Sequence, residues 1–246
     1  MKRCGLVLAG AVWLVPVCAR GQGKCGEEVK LLLSPAQVEY AVLALGAHLE
    51  TQSDIYFYDT PDLDLLAKGV VLRLRAGKEI DLTAKLRPVE GERFADPTGG
   101  AERFKCEADL NDGVETQSFS VRNRRVSGKV PATGEELRRL LSDGQRKLLE
   151  DSTMQIDWKR VRRMTEIRST NWVTGAKGSL GKLSLELWEW PGGSVMEVSA
   201  KVAPNAGQAS YAQLQGLVRK KGLSVSKEQR PKTTTVLRQA AAAKGN

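Results

Sequence analysis

Alternation of apolar and charged residues is the feature of this sequence that most constrains its fold. In residues 71–75, Arg73 and Arg75 alternate with valine and leucines. Because side chains two positions apart in a strand share one face, both arginines lie on one face of a predicted strand and both leucines on the other. The pattern therefore predicts strands with one apolar face and one densely charged face.

Charged rows of this kind recur on several predicted strands, and their composition separates two interpretations. A half-buried sheet with one polar face in water accounts for any single strand. Repeated Arg-x-Arg, Lys-x-Arg and Glu-x-Asp rows fit a shared anion site better, because guanidinium groups donate paired hydrogen bonds to phosphate oxygens and carboxylates bind Mg²⁺ or Mn²⁺. The polar faces contain Asp81, Thr83, Lys85 and Arg87, then Arg103, Lys105, Glu107 and Asp109, then Ser184, Glu186 and Trp188, and finally Glu197, Ser199 and Lys201.

The order of predicted elements indicates a β-rich domain. Strands are predicted near residues 27–33, 55–59, 69–75, 80–87, 102–110, 156–164, 183–189 and 195–202, with turns at Gly99-Gly100 and Pro191-Gly192-Gly193. Helices are predicted to begin at Ser34, Thr133 and Ser210, with Gly144 as a candidate interruption and with Gly46 and Gly222 as stops. This pattern predicts an α+β fold dominated by β, an antiparallel β-barrel of about eight strands with flanking helices.

The first residues have the pattern of an export signal. Lys2 and Arg3 precede an apolar run over 5–19 that is short for a membrane span, and cleavage is predicted after Ala19. An uncleaved anchor and lipidation at Cys18 are the alternatives. We expect an exported protein, periplasmic or secreted, with a signal peptide over 1–19, a folded domain over 20–237, a flexible tail over 238–246 and no membrane span after cleavage.

The charge balance favours an anionic partner. The formal net charge is +9, which by itself fits nucleic acid, a membrane surface or phosphate compounds. Carboxylates on the same faces as the basic rows would repel a DNA backbone unless metal intervened. We therefore expect a small polyphosphate or triphosphate anion as the partner, and no nucleic acid.

A longer stretch resembles a known family. Tyr56-Phe57-Tyr58-Asp59-Thr60-Pro61 is followed by Leu65-Leu66-Ala67-Lys68-Gly69-Val70-Val71-Leu72-Arg73-Leu74-Arg75. Together with Lys85-Leu86-Arg87 and Glu107-Ala108-Asp109, this resembles the CYTH group of triphosphate tunnel enzymes, which includes thiamine triphosphatase, inorganic triphosphatases and class IV adenylate cyclases. The resemblance covers roughly residues 26–237.

The resemblance implies roles for the charged residues. Lys30 would lie near the reacting phosphate, with Glu28 as the second catalytic candidate. The phosphate-binding candidates are Arg73, Arg75, Lys85, Arg87, one or both of Arg160 and Arg162, and Lys201. A different register of residues 158–163 would select Lys159 and Arg163 in place of Arg160 and Arg162. The ligands implied for Mg²⁺ or Mn²⁺ are Glu28, Glu107, Asp109, Glu186 and Glu197.

Two departures from the family pattern bear on function. The first-strand Glu-x-Glu-x-Lys motif begins here with Gly26, and Ser199 stands where the late Glu-x-Glu motif has its second acid. The first hypothesis is a metal-dependent phosphohydrolase acting on inorganic triphosphate or a related compound. The second is a non-catalytic binder of phosphorylated ligands, which the two lost carboxylates favour. An adenylate cyclase is a weaker third hypothesis.

Two cysteines follow the predicted cleavage site. Cys25 is an odd number of positions from Glu28 and Lys30, and Cys106 is an odd number of positions from Glu107 and Asp109. Both cysteines therefore face away from the charged rows. In an oxidising compartment this arrangement permits a Cys25–Cys106 disulfide. The alternative is two separately buried thiols.

Overall fold

The computed structural model describes residues 25–89, 96, 98, 102–152, 155–176 and 178–244. The predicted signal peptide and the Gly99-Gly100 turn lie outside these residues. Within the described ranges, no helix is both long enough and apolar enough to cross a membrane.

Nine strands form a closed barrel in the part of the chain that the structure describes. They are β1 (Gly26–Leu33), β2 (His48–Asp59), β3 (Val70–Ala76), β4 (Ile80–Leu86), β5 (Arg103–Asn111), β6 (Val114–Val126), β7 (Arg162–Val173), β8 (Leu183–Trp190) and β9 (Gly193–Val202). The order around the barrel is β1-β5-β6-β4-β3-β2-β7-β8-β9, and β9 pairs with β1. The neighbours are antiparallel except for β1 and β5, which are parallel. The predicted β-barrel fold is confirmed.

Strand β6 is the strand that the sequence analysis missed. It forms a hairpin with β5 across Asp112 and Gly113, whose φ angles are 50° and 74°. Positive φ at both positions matches the twist of a tight hairpin, and an Asp-Gly pair adopts it readily. This dipeptide was the available signal for an additional strand.

Strand β7 lies later in the chain than predicted. The expected strand over 156–164 is replaced by a turn in which the backbone N–H groups of Arg160 and Val161 donate to the Asp157 carbonyl. The strand begins at Arg162 and runs to Val173, paired with β2 and β8. The cause is the burial of Val161, which packs against the helices outside the barrel and ends the turn there.

The helices are α1 (Val38–Leu45), α2 (Asp64–Ala67), α3 (Gly134–Leu140), α4 (Asp143–Asp151), α5 (Gly207–Lys220) and α6 (Lys232–Lys244). Gly46 ends α1 in the left-handed conformation, as predicted, but Ser34 makes no side-chain cap and a short 3-10 turn over Pro35–Gln37 precedes the helix. Thr133 and Glu136 form the predicted capping box of α3.

Two helix boundaries differ from the prediction. A second capping box, Ser142 with Gln145, starts α4, so the interruption falls before Gly144. Helix α5 begins at Gly207, and Ser210 lies buried inside it. Carboxylate oxygens of Glu27 accept hydrogen bonds from the backbone N–H groups of Asn205 and Gly207, which fixes that earlier start.

The segment from residue 238, predicted to be a flexible tail, is helical over the residues that the structure describes. The chain is helical through Lys244 as α6, and Val236, Leu237 and Ala240 are buried. Val236 and Leu237 pack in one cluster with Ile55 and Ile167. Burial of these apolar side chains stabilises a segment whose alanine-rich sequence resembles a tail.

The predicted disulfide is confirmed. Cys25 and Cys106 are bonded, with Cα atoms 4.7 Å apart. In the parallel register of β1 and β5, Gly26 lies opposite Glu107. Cys25 and Cys106, which precede these two residues, therefore lie side by side. The bond therefore joins the two strands at the only parallel pairing of the described barrel.

Candidate functional site

The interior of the barrel holds a cavity of about 850 Å³. Nine lysine and arginine side chains line it against five carboxylates, so an anion of several charges would balance the excess. The basic residues are Lys30, Arg73, Arg75, Lys85, Arg87, Lys105, Lys201, Lys232 and Arg238, and the acidic residues are Glu28, Asp62, Glu107, Glu186 and Glu197.

The structure brings most of the predicted site residues together. The predicted residues that line the cavity are Glu28, Lys30, Arg73, Arg75, Lys85, Arg87, Glu107, Glu186, Glu197 and Lys201. Asp109 is fully buried behind them in ion pairs with Lys30, Lys85 and Arg87. Their roles stay predictions, but their common location follows from period-two alternation on strands that close into one barrel.

Arg160 and Arg162 are not in the site, which corrects the sequence prediction. Arg160 lies on the turn before β7, exposed, and pairs with Asp62 and Asp64. Arg162 is exposed at the first position of β7. Neither arginine lines the cavity, and the alternative register fails too, since Lys159 and Arg163 are also exposed. Ser169 of β7 donates a hydrogen bond to the interior carboxylate of Glu186, and Asn171 lines the cavity and accepts a hydrogen bond from Ser184.

Arg73 is a buried cation of the cavity. Among the described residues, no carboxylate lies within ion-pair distance of it, and its Nε is buried without a hydrogen-bond partner. Burial and then the neighbouring Arg75 lower the pKa of Arg73 to about 10, which still leaves it charged at neutral pH. Unmet donors on a buried guanidinium favour an added anion.

Lys30 is held between two carboxylates. Its Nζ lies 2.8 Å from Asp109 Oδ1 and 3.2 Å from Glu28 Oε2. Burial alone would lower the pKa of Lys30, but Glu28 and Asp109 outweigh it and hold the pKa above its ordinary value. Lys30 is therefore a fixed positive charge and not a proton acceptor.

Lys85 and Arg87 extend the basic row along β4. Lys85 Nζ lies 3.7 Å from both Glu107 Oε2 and Asp109 Oδ2, and Arg87 Nη1 lies 3.1 Å from Asp109 Oδ2. Burial lowers the pKa of Lys85, whereas Asp109 partly restores it. Gly69 allows this geometry, because a Cβ there would lie 2.6 Å from the Arg87 carbonyl oxygen.

The interior cations in turn keep the carboxylates ionised. Burial would raise the pKa of Asp109, but Lys30, Lys85 and Arg87 together hold it below its ordinary value. The same opposition, led by Lys85, lowers the pKa of Glu107. The interior cations and carboxylates therefore stabilise one another's charged forms.

Helix α6 contributes residues that sequence reasoning missed. Lys232 and Arg238 line the cavity, and Lys232 Nζ lies 2.5 Å from Glu186 Oε2 and 3.1 Å from Glu197 Oε1. Burial would lower the pKa of Lys232, but Glu186 and Glu197 hold it above its ordinary value. The apolar residues Val236, Leu237 and Ala240 have helical spacing, and that spacing was the available signal for a packed helix.

The Tyr-Asp-Thr turn has a structural part in the site. The Asp59 carboxylate accepts hydrogen bonds from the backbone N–H groups of Thr60, Leu65 and Leu66. The Thr60 hydroxyl donates to Asp64 at the start of α2. These bonds fix the connection between β2 and the arginine-bearing β3.

The carboxylates fit a metal ion only in part. Among the described residues, no group of three acidic, histidine or cysteine side chains could hold a metal ion. Glu28 and Glu107 line the cavity and each pairs with lysine, Glu28 with Lys30 and Glu107 with Lys85 and Lys105, but no single ammonium of the described chain lies between them. They can offer two carboxylates to a divalent ion that is shared with phosphate oxygens of an anion. Glu186 and Glu197 do not fit, because the Lys232 ammonium lies between them.

Comparisons with known proteins agree with this geometry. No curated protein matches the sequence significantly. A candidate adenylyl cyclase from Hippeastrum, described as having a dominant triphosphatase activity, is 21% identical with a TM-score of 0.58, and the match covers 86% of this chain and 94% of that one. A candidate adenylate cyclase from Bacillus halodurans is 12% identical with a TM-score of 0.53, covering 84% and 95%. These likenesses show a shared fold. The model of the CYTH domain matches residues 27–177, which is more than half of the chain, and the protein belongs to the CYTH domain family.

Proposed function

We propose that this protein is a phosphohydrolase that acts on inorganic triphosphate or another polyphosphate or triphosphate compound. The observation that carries the proposal is the convergence of Arg73, Arg75, Lys85 and Arg87 on one cavity with a net excess of positive charge. Enzymes of the CYTH family generally depend on a divalent metal, and the dominant triphosphatase activity described for the Hippeastrum protein supports hydrolysis.

The charges of the cavity support a mechanism of positioning and electrostatic stabilisation. The arginines and lysines of β3 and β4 bind non-bridging oxygens and neutralise the chain of phosphates. Lys30, fixed as an ammonium by Glu28 and Asp109, stabilises the charge that develops when water attacks a phosphorus atom and the anhydride bond breaks. Glu28, oriented by the Ser199 hydroxyl at 2.9 Å, orients the attacking water.

A metal requirement is part of the proposal. Mg²⁺ or Mn²⁺ would be held by Glu28 and Glu107 and would supply further charge neutralisation at the phosphate oxygens. The lost carboxylates at Gly26 and Ser199 predict that this affinity is weak until the anion contributes its own oxygens.

A non-catalytic binder is the second candidate function. Ser199 donates a hydrogen bond to Glu28 where a second acid would add a ligand, and Gly26 adds none. Both changes reduce the number of metal ligands, whereas nine lysine and arginine side chains still line the cavity. An adenylate cyclase has no observation in its favour here beyond the names of structural relatives.

Phosphate release decides between these functions. Purified mature protein should release phosphate from tripolyphosphate with Mg²⁺ or Mn²⁺ and not with a chelator, and tripolyphosphate should be a better substrate than ATP. Lys30→Met should retain tripolyphosphate binding by calorimetry and lose release. Binding without release across neutral to alkaline pH would establish the binder, and absence of both would refute the anion site.

We also propose that the protein is exported. The Cys25–Cys106 disulfide supports an oxidising compartment, where such bonds persist. Mass measurement of the secreted or periplasmic protein after alkylation without reductant should show no modified cysteine and an N-terminus near residue 20. An intact N-terminus on protein recovered from the cytoplasm would contradict this assignment.

A further inference from the structure

Glu186 and Glu197 form a carboxylate pair with a lysine ammonium between them. They lie directly opposite each other on β8 and β9. Like charges in this cross-strand position destabilise a sheet, so a cation is required between them. Lys232 supplies it, with its Nζ 2.5 Å from Glu186 and 3.1 Å from Glu197.

The remaining contacts fix this lysine and occupy the second carboxylate oxygen of Glu186. Lys232 Nζ also lies 4.5 Å from the centroid of the Trp188 ring, and the side chain is only 7% exposed. The other oxygen of Glu186 accepts hydrogen bonds from Arg75 at 2.9 Å and from Ser169 at 2.8 Å. Because Val236 and Leu237 anchor α6 on the barrel wall, the ammonium is held in place by the packing of its helix.

We propose that Lys232 is a built-in counter-ion that takes the place of a divalent cation at the Glu186–Glu197 pair and prevents metal from binding there. One ammonium neutralises part of the charge and donates to both carboxylates, as a shared metal would coordinate both. The consequence for hydrolysis, a site that uses metal at Glu28 and Glu107 alone, rests on the proposed function. The inference about metal exclusion does not.

Titration with Mn²⁺ alone, in the absence of any phosphate, tests the inference. Free Mn²⁺ is measured by electron paramagnetic resonance for the wild type, Lys232→Met and Lys232→Gln. Both variants should gain a site that binds Mn²⁺ about tenfold or more tightly than the wild type, because removal of a buried opposing charge exceeds the free-energy equivalent of tenfold. Adding Glu197→Gln to either variant should abolish the new site.

The matched control is Lys182→Gln, which removes a lysine paired with Glu50 on the outer surface and should leave Mn²⁺ binding unchanged. A gain of similar size in this control, or no gain in the folded Lys232 variants, would overturn the inference.

A second measurement keeps the test decisive if the Lys232 variants do not fold. Glu197→Gln in the otherwise unchanged protein should leave Mn²⁺ affinity unaltered, since the pair is closed to metal. A several-fold loss of affinity would show that metal enters the pair beside Lys232 and would refute the proposal. Neither measurement depends on hydrolysis, so the proposed function can fail separately.

Discussion

Two walls of the same barrel interior differ in chemistry. The charged wall consists of the inward residues of β1, β3, β4 and β5, where Lys30, Arg73 and Lys85 lie. The apolar wall is the part of β2 and β7 around Ile55 and Ile167, which pair across the two strands and pack with Val236 and Leu237 of α6. Both walls obey the same alternation, but α6 packs its apolar residues Val236 and Leu237 against the apolar wall.

The difference shows how a small barrel keeps an open charged cavity. Interiors of barrels of this size are ordinarily filled by side chains. Here α6 fills the apolar side, and the charged side stays solvated and available to an anion. Stability and ligand binding should therefore respond to changes on different walls. Lys232 links α6 to the carboxylates of Glu186 and Glu197.

The largest expected effect is on the charged wall. Arg73→Ala should lower the kcat/KM for tripolyphosphate by about 100-fold or more, the usual cost of removing one preorganised donor from a site that stabilises developing charge. Its unfolding midpoint in urea should hardly change, because Arg73 has no ion pair among the described residues. Arg162→Ala, exposed on the outer surface, is the matched control. Equal losses in the two variants would break the distinction between interior and exterior arginines.

On the apolar wall, Leu237→Ala should chiefly affect stability. Leu237 is 1% exposed among Ile55, Phe57 and Ile167, so truncation should lower the free energy of unfolding by about 2–5 kcal/mol. Urea denaturation measures this loss, and calorimetry measures tripolyphosphate affinity of the folded variant. An affinity loss as large as that of Arg73→Ala would show that the packing of α6 positions the anion site and that the walls are not separate.

A pH dependence should distinguish Lys85 from an ordinary lysine. Burial lowers the pKa of Lys85, so the amine loses its charge at a lower pH than an exposed lysine does. Affinity for tripolyphosphate, measured by calorimetry, should therefore fall as pH rises, and the fall should come at a lower pH than the deprotonation of an exposed lysine. Lys85→Arg should move this fall to higher pH, since a guanidinium keeps its proton. Superimposable profiles would contradict the assignment to Lys85.

The smallest expected effect is at the end of the charged wall. Gly26 shares the face of Glu28, and a Cβ there would have only the Cys106 carbonyl oxygen nearby, at 3.9 Å. Gly26→Glu should fold normally and lower the Mn²⁺ concentration for half-maximal phosphate release by a few-fold. Gly216→Glu, which adds the same charge on open, exposed helix surface, is the control. A raised or unchanged metal requirement would show that residue 26 does not reach the metal.

Local sequence pattern was enough to predict most of the charged wall. Period two in a strand fixes which side chains share a face, whatever the neighbouring strand is. Arg73 with Arg75 and Glu107 with Asp109 were therefore grouped correctly before any strand order was known. The same parity placed Cys25 and Cys106 outside the cavity. The prediction that Arg160 and Arg162 line the cavity failed, because a turn over 157–161 shifts the start of β7 along the chain.

Period-two alternation assigns each side chain to one face of its strand, whereas strand order, which only the folded barrel shows, sets which faces meet. That β1 lies beside β5, so that Lys30 contacts Asp109, is a nonlocal pairing without a local signal. Helix α6 packs against Ile55 and Ile167, which come from different strands, and this packing places Lys232 beside Glu186. Alternation acts between neighbours in the chain, whereas strand order and helix insertion arise from burial of apolar surface across the whole barrel.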